Sequence, residues 1–193
     1  MKSDIILAGV GGQGILTIAT ILGHAALHQN LYIKQAEVHG MSQRGGDVQS
    51  NLRISSSPIA SDLIPHGRAD LIVSLEPMEG LRYLEFLNPA TGRLVTNTTP
   101  FVNIGNYPDE ASLAAALESV PRLVAFDMDA VAKEAGSARS SNIVLLGAAS
   151  PFIDIAPELI EASIASVFGR KGQAVVDANI RAFREGRARS QQN

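Results

Sequence analysis

The sequence contains no cysteine in its 193 residues, and this absence excludes several kinds of site. Disulfides, zinc ribbons, cysteine nucleophiles and iron–sulfur clusters bound by the chain's own thiolates all need that side chain. No apolar run approaches the roughly 18–20 residues of a membrane span, and no signal-peptide pattern is present. We therefore expect a cytoplasmic protein without a membrane partner. A net charge of −3 is too small to indicate a nucleic-acid partner.

The composition that remains is that of one globular domain, with 46% hydrophobic and 18% charged residues. We predict a single domain over residues 1–193, with a disordered tail from about residue 187 to the end. Short apolar runs alternate with amphipathic helices up to residue 126, and helices alone follow. This order predicts a three-layer α/β/α fold with a mostly parallel, mixed sheet, a Rossmann-like first βα unit and a helical C-terminal part.

Two segments carry more detailed predictions about local structure. Residues 48–54 alternate between apolar and polar side chains, which predicts a half-exposed strand in an antiparallel or edge position. Pro77 suits the first turn of a helix, and the apolar spacing beyond it predicts that this helix continues through Leu87.

A glycine-rich segment over residues 9–14, Gly-Val-Gly-Gly-Gln-Gly, joins the first predicted strand to the first helix. It matches the G-x-G-x-x-G spacing, in which glycines permit a tight turn and the helix amides and dipole favour an anion. The candidate phosphate- or anion-binding residues of this turn are Gly9, Gly11, Gly12, Gln13 and Gly14.

Three other interpretations of the turn stay open at this point. It could be purely structural, packing the first helix tightly on the sheet. It could serve a nicotinamide-dependent oxidoreductase, with Glu37 near the end of the second strand as the ribose-binding acid. It could also belong to an adenylating enzyme, although many of those use cysteines that this chain lacks.

Residues 36–46, Ala-Glu-Val-His-Gly-Met-Ser-Gln-Arg-Gly-Gly, continue the second predicted strand into a polar loop. Arg44 in this loop is a candidate clamp for a phosphate or carboxylate, or a docking residue for a partner. It could equally pair with Asp47 or Glu37 and only shape the loop. His39 and Glu37 share a face of an extended segment, but no further residue has metal-ligand spacing, so we predict no metal site.

Glu76, Asn97 and Asp127 each end a predicted strand at the same edge of the sheet. They could line a pocket or cap the helices that follow, and capping is favoured for Asp127.

Six of the 16 Lys and Arg residues fall between residues 170 and 189. That basic segment could be a solvated helix face or a docking surface for an acidic partner.

The turn and the 36–46 segment together resemble the small subunit of 2-oxoacid:ferredoxin oxidoreductases, of gamma type, and are most similar to the indolepyruvate branch of that family. The strand over residues 69–73, the Leu75-Glu76-Pro77 sequence and the segments 142–147 and 170–172 support the resemblance. It covers the chain from residue 4 to about residue 186.

The resemblance implies a role within a larger enzyme. The complete family enzyme oxidatively decarboxylates a 2-oxoacid to an acyl-CoA, with coenzyme A as co-substrate, and passes electrons to ferredoxin. Thiamine diphosphate, magnesium and iron–sulfur clusters belong to the large catalytic subunit or subunits. This chain would then be a non-catalytic subunit, inactive alone, which could dimerise in isolation. We single out no catalytic residue in it.

Overall fold

The computed structural model describes residues 1–39, 45–102 and 104–192, with the backbone alone at His39. The described strands are Lys2–Val10 (β1), Tyr32–His39 (β2), Asp47–Ser55 (β3), Leu71–Ser74 (β4), Arg93–Asn97 (β5) and Leu123–Phe126 (β6). The described α-helices are Ile15–His28 (α1), Pro77–Arg82 (α2), Glu110–Glu118 (α3), Met128–Glu134 (α4), Ser141–Ala149 (α5), Pro157–Phe168 (α6) and Gln173–Ser190 (α7).

The strands form one mixed sheet in the order β2-β3-β1-β4-β5-β6. β1, β4, β5 and β6 are parallel, whereas β3 runs antiparallel to both of its neighbours. The predicted mostly parallel, mixed sheet is therefore confirmed. The alternating 48–54 segment is antiparallel, as predicted, and it lies inside the sheet because it pairs with β1 on one side and with β2 on the other.

Helices cover both faces of the sheet, which confirms the predicted three layers. On one face Ile5 and Leu7 of β1 pack in a core with α1 and with the C-terminal helices, including Leu145 and Phe183. On the other face a smaller core contains Ile6. Its other buried members are Ile64, Ala69, Ile72, Leu94, Leu117 and Val120.

The connections that follow β1 and β3 lead to opposite sides of the sheet, and this reversal indicates where a ligand site is expected. The chain leaves β1 through α1 to reach β2 on one side, and after β3 it continues with β4 on the other side. Strand order thus reverses beside β1. In open α/β sheets the crevice at the carboxyl ends of strands near such a reversal is the usual ligand site.

The helix predicted from Pro77 through Leu87 is shorter in the structure. α2 ends at Arg82, and a 3₁₀ turn over Leu84–Phe86 follows. The reason is a competing backbone interaction: Ala69 N donates to Phe86 O at 2.8 Å, and Asn88 N donates to Ala69 O at 2.8 Å. These strand-like bonds require residues 86–88 to leave the helical conformation.

The last helix extends beyond the predicted start of disorder. α7 continues through Ser190, so the expected disordered tail is wrong for residues 187–190. Tertiary contacts hold this end, because Arg187 Nη1 donates to Ser150 Oγ at 2.8 Å and Ser190 is buried. Arg184 pairs with Glu161 at 2.7 Å. Part of the basic segment is thus engaged within the chain.

α5 and α7 cross at two glycines whose backbones touch the opposing helix. A Cβ at Gly147 would lie 2.0 Å from Phe183 O, and one at Gly186 would lie 2.0 Å from Val144 O. Such distances are impossible for a side chain, so the approach depends on both glycines. This crossing holds α5 in the position from which it contributes to the site.

Candidate functional site

The glycine turn joins β1 to α1, as predicted, and is stabilised by its own glutamine. Val10 N donates to Gln13 Oε1 at 2.8 Å, and Gln13 N donates to Val10 O at 3.1 Å. Positive φ falls on Gly12 (104°) and Gly14 (81°). These conformations favour glycine because a Cβ would be strained there.

Two other glycines of the turn have packing roles. A Cβ at Gly9 would lie 2.8 Å from Ile15 Cγ1, so this glycine allows α1 to begin close to the sheet. Gly11 N donates to Gly46 O at 2.8 Å, which extends the β1–β3 pairing beyond the strand ends. The Gly11 amide is thereby used within the fold. Arg44 lies outside the described residues.

The N-termini of α1 and α5 converge on the same cleft. Gly14 is the N-cap of α1 and Ser140 is the N-cap of α5; neither helix start has a side-chain capping hydrogen bond or an acidic residue in its first turn. Each start carries a partial positive charge and amide donors without a partner in the preceding turn. Two such termini at one cleft favour an anionic ligand.

The cleft has a volume of about 480 Å³ and lies at the carboxyl edge of the sheet. Three parts of the chain form it: the glycine turn, the segments that follow β4 and β5, and the stretch from α4 to α5. Its lining residues are Gly12, Gln13, Leu75, Asn97, Thr99, Pro100, Phe101, Asp129, Ala138, Arg139, Ser141 and Asn142.

Asn142 connects the two helix starts. Its Nδ2 donates to the Gly14 carbonyl oxygen at 3.1 Å, and Gly14 O also accepts from Thr17 N at 3.1 Å. Sequence reasoning marked residues 142–147 only as part of a resemblance and did not identify this contact. No local pattern indicates it, because the two residues are 128 positions apart.

A polar network lies across the cleft from the turn. Asn97 Nδ2 donates to Asp129 Oδ2 at 3.0 Å, and Ser141 Oγ donates to Asp129 Oδ1. Asn97 is buried and also accepts from Met128 N at 2.9 Å through Oδ1. Asn97 thus lines the pocket, which was one of its two predicted roles. Sequence reasoning missed Asp129 and Arg139.

Asp127 and Glu76 both cap helices. Asp127 Oδ1 accepts from Ala130 N at 2.8 Å, which confirms the favoured prediction for Asp127. Glu76 Oε2 accepts from Glu79 N at 2.8 Å and caps α2. Glu76 Oε1 also accepts from the Tyr107 hydroxyl group. Burial and this hydrogen bond raise the pKa of Tyr107, so its hydroxyl group remains a donor at neutral pH.

A second cleft of about 270 Å³ opens at the same edge, and Gly46, Asp47 and Met78 are among its lining residues. Arg82 lies in it, and Arg82 Nε donates to Glu79 Oε2 at 2.9 Å. This hydrogen bond and the charge of Glu79 raise the pKa of Arg82.

Glu37 is poorly placed for the ribose-binding role considered above. β3 lies between β1 and β2, so β2 is two strand spacings, about 10 Å, away from the strand that leads into the glycine turn. Glu37 is exposed on that edge strand.

Within the described ranges, no three His, Asp or Glu side chains form a group that could hold a metal ion. No helix in those ranges is both long and apolar enough to cross a membrane.

The family model described as pyruvate ferredoxin/flavodoxin oxidoreductase matches residues 4–189. The chain is 37% identical over 193 residues to indolepyruvate oxidoreductase subunit IorB of Thermococcus kodakarensis, covering 95% of this chain and 93% of the relative. The range matched by the family model spans the glycine turn, the segment that follows β2 and the residues that line the cleft.

Two solved structures share the fold. The gamma subunit of a keto/oxoacid ferredoxin oxidoreductase from Geobacter sulfurreducens has a TM-score of 0.70 at 23% identity, with 99% of both chains covered. The 2-oxoglutarate:ferredoxin oxidoreductase of Magnetococcus marinus, with 2-oxoglutarate, coenzyme A and succinyl-CoA bound, has a TM-score of 0.77 at 24% identity. This chain corresponds to 31% of that longer chain.

The resemblance predicted from the two sequence motifs is confirmed by a family match over nearly all of the chain and by a relative of similar length. The predicted assignment to a subunit of 2-oxoacid oxidoreductases is confirmed with it. The chain belongs to the pyruvate ferredoxin/flavodoxin oxidoreductase family.

Proposed function

We propose that this chain is the small, non-catalytic subunit of an indolepyruvate:ferredoxin oxidoreductase. The 37% identity to an indolepyruvate oxidoreductase subunit over 95% of the chain carries the proposal. In the assembled enzyme a 2-oxoacid is oxidatively decarboxylated to an acyl-CoA, and the electrons pass to ferredoxin. Because the chain is inactive alone, its contribution is to complete the assembly and to bind part of a substrate.

The redox cofactors belong to the large catalytic subunit. A thiolate-bound iron–sulfur cluster does not fit this chain, because the sequence has no cysteine. By the resemblance, thiamine diphosphate and its magnesium ion are held by the large subunit, and among the described residues no three His, Asp or Glu side chains form a group that could hold a metal ion. These groups therefore take no part in the chemistry that this chain's own residues perform.

The cleft at the glycine turn is proposed to bind the diphosphate of coenzyme A. Support comes from the two helix starts without side-chain caps, the positive-φ backbone at Gly12 and Gly14, and the exposed Arg139 at the rim. Together they place amide donors and one full positive charge around a cleft large enough for a ligand of this kind. The Asp129 carboxylate adds one negative charge to the cleft, which disfavours an anion. Its two oxygens already accept hydrogen bonds from Asn97 and Ser141.

Co-purification from the native cell tests the subunit assignment. We expect a large chain that carries thiamine diphosphate and iron–sulfur clusters, and the reconstituted pair should oxidise indolepyruvate in preference to pyruvate or 2-oxoglutarate. The small chain alone should show no activity. A lone protein that reduces a nicotinamide cofactor with a hydroxy acid would contradict the proposal.

Arg139→Gln in the reconstituted enzyme tests the coenzyme A site. We expect the KM for coenzyme A to rise about tenfold or more, as for the loss of one charge-assisted hydrogen bond of about 1.5–3 kcal/mol. The KM for the 2-oxoacid and kcat should stay unchanged. Arg170→Gln is the matched control, because Arg170 is also exposed but lies outside the cleft lining. An unchanged KM for coenzyme A in Arg139→Gln would contradict this part of the proposal.

A further inference from the structure

The described residues of the loop that joins β5 to α3, 98–102 and 104–108, separate the two clefts at the carboxyl edge of the sheet. Phe101 lines the large cleft, and Ile104 lines the small one. Both side chains are partly open to solvent, at 46% and 41% exposed, and Val102 between them is 67% exposed. These apolar side chains are not buried in either core, so core packing does not hold them in place.

One carboxylate oxygen holds this loop at two points. Glu76 Oε1 accepts from Phe101 N at 3.4 Å and from the Tyr107 hydroxyl group. Phe101 and Tyr107 lie on either side of the apolar part of the loop. A single atom at the end of β4 therefore fixes both ends of the segment that forms the shared wall of the clefts.

Glu76 is held rigidly enough for this role. Its side chain is 0% exposed, and its backbone N donates to Ser74 Oγ at 3.3 Å while its backbone O accepts from Gly80 N at 3.1 Å. A carboxyl group is costly to bury unless hydrogen-bond donors surround it. Here the donors are the Glu79 amide, the Phe101 amide and the Tyr107 hydroxyl group.

Helix capping alone does not account for a buried glutamate at this position. Capping needs one side-chain oxygen, and serine, threonine, asparagine or aspartate supplies it with a shorter side chain that is less costly to bury. Only Oε2 of Glu76 caps α2. The other oxygen, Oε1, binds the loop.

We infer that Glu76 and Tyr107 are a positioning pair, which holds Phe101 and the described residues around it as the wall of the coenzyme A cleft. The effect on coenzyme A binding rests on the proposed function of that cleft. The contact between Glu76 and the loop does not depend on that proposal. Neither residue reacts with substrate. Loss of the contact lets Phe101 move away from the ligand, which weakens coenzyme A binding and leaves the chemical step unchanged.

The loop contact can be measured on the free full-length chain. The sequence contains no tryptophan, so Phe101→Trp introduces a single tryptophan at the wall of the cleft, whose emission can be excited selectively over that of the tyrosines. We expect acrylamide to quench its emission more strongly when Tyr107→Phe is added, because the loop loses one of its two hydrogen bonds to Glu76. Tyr32→Phe, at an exposed position on β2, is the matched control and should leave quenching unchanged. Equal quenching in all three proteins would overturn the inference.

The functional consequence is measured in the reconstituted enzyme. Tyr107→Phe should raise the KM for coenzyme A about three- to tenfold, the range for one hydrogen bond. The kcat at saturating coenzyme A and the KM for the 2-oxoacid should stay unchanged, whereas a general structural defect would lower kcat as well. Tyr32→Phe should match the wild type.

The Arg139→Gln variant separates this inference from the proposed function. If Tyr107→Phe leaves the KM for coenzyme A unchanged while Arg139→Gln raises it, the positioning pair is overturned and the coenzyme A cleft stands. If neither variant changes that KM, both the positioning role and the proposed cleft fail.

Discussion

Asn142 donates from Nδ2 to the carbonyl oxygen of Gly14 at 3.1 Å, and this bond joins the first turn of α5 to the glycine turn at the start of α1. The contact is close, because a Cβ on Gly14 would lie 2.7 Å from the same nitrogen atom. Two helix starts that are far apart in the sequence, at Ile15 and Ser141, are thereby held around one cleft. The following predictions test this arrangement and the packing that supports it.

Gly14→Ala should destabilise the chain by about 2–3 kcal/mol. The positive φ of 81° costs a residue with a Cβ about 1–2 kcal/mol, and displacement of Asn142 costs about one hydrogen bond more. Urea denaturation of the free subunit measures the change. In an Asn142→Ala background only the backbone cost remains, so the same substitution should be less harmful there. Equal costs in the two backgrounds would show that Asn142 moves aside freely.

Gly186→Ala should separate α5 from α7 and destabilise the chain by about 3 kcal/mol or more, at the upper end for overpacking. The added Cβ would meet Val144 O at 2.0 Å, and backbone cannot move away as a flexible side chain can. Gly169→Ala is the control, since a Cβ there has no neighbour within 4 Å and φ is −54°. The control should stay within about 0.5 kcal/mol of the wild type by urea denaturation. A stable Gly186→Ala protein would disprove the close crossing.

Arg53→Leu should cost about 2–3 kcal/mol, because it removes the guanidinium partner of a buried carboxylate while Lys2 Nζ, 2.8 Å from Asp4 Oδ2, remains as a second partner. Asp4 is 1% exposed, and its oxygens accept from Arg53 Nε at 2.7 Å and from Nη2 at 3.1 Å. Arg53 also donates to the carbonyl oxygens of Ser61 and Leu63, so the segment over β3 should loosen as well. Hydrogen exchange of residues 56–68 would detect that loosening. The exposed Arg68→Leu serves as control, and equal stability of the two variants would refute the role of the pair.

Arg44→Ala should lower the activity of the reconstituted enzyme and leave the melting temperature of the free subunit within a few degrees, because a surface change usually stays within about 0.5 kcal/mol. This prediction comes from the sequence. Arg44→Lys should restore activity only partly if Arg44 forms bidentate hydrogen bonds to a phosphate or carboxylate, because lysine cannot form them. Weaker assembly would assign Arg44 to docking, whereas a raised KM for coenzyme A or the 2-oxoacid would assign it to a ligand path. Full activity of Arg44→Ala would remove it from both roles.

Local sequence patterns were sufficient to predict the elements that depend on residues close together in the chain. The buried run of β1, the turn over residues 9–14 and the apolar face of α1 follow one another in the chain, and each has a short-range signature. The absence of cysteine excluded a thiolate-bound cluster from this chain without any structure. The two motifs together were specific enough to predict the family, because each requires particular residues at particular spacings.

Tertiary structure decided the rest, because packing brings together residues that no local period relates. The insertion of β3 between β1 and β2 moved Glu37 away from the turn, which alternation along one strand could not reveal. Asp129, Arg139 and Asn142 line the cleft because α4 and α5 pack against each other and against α7, and because α5 also packs on the sheet. Likewise capping was one of two roles that the sequence left open for Glu76, but its bond to Tyr107 depends on how a loop 31 residues later folds back over β4.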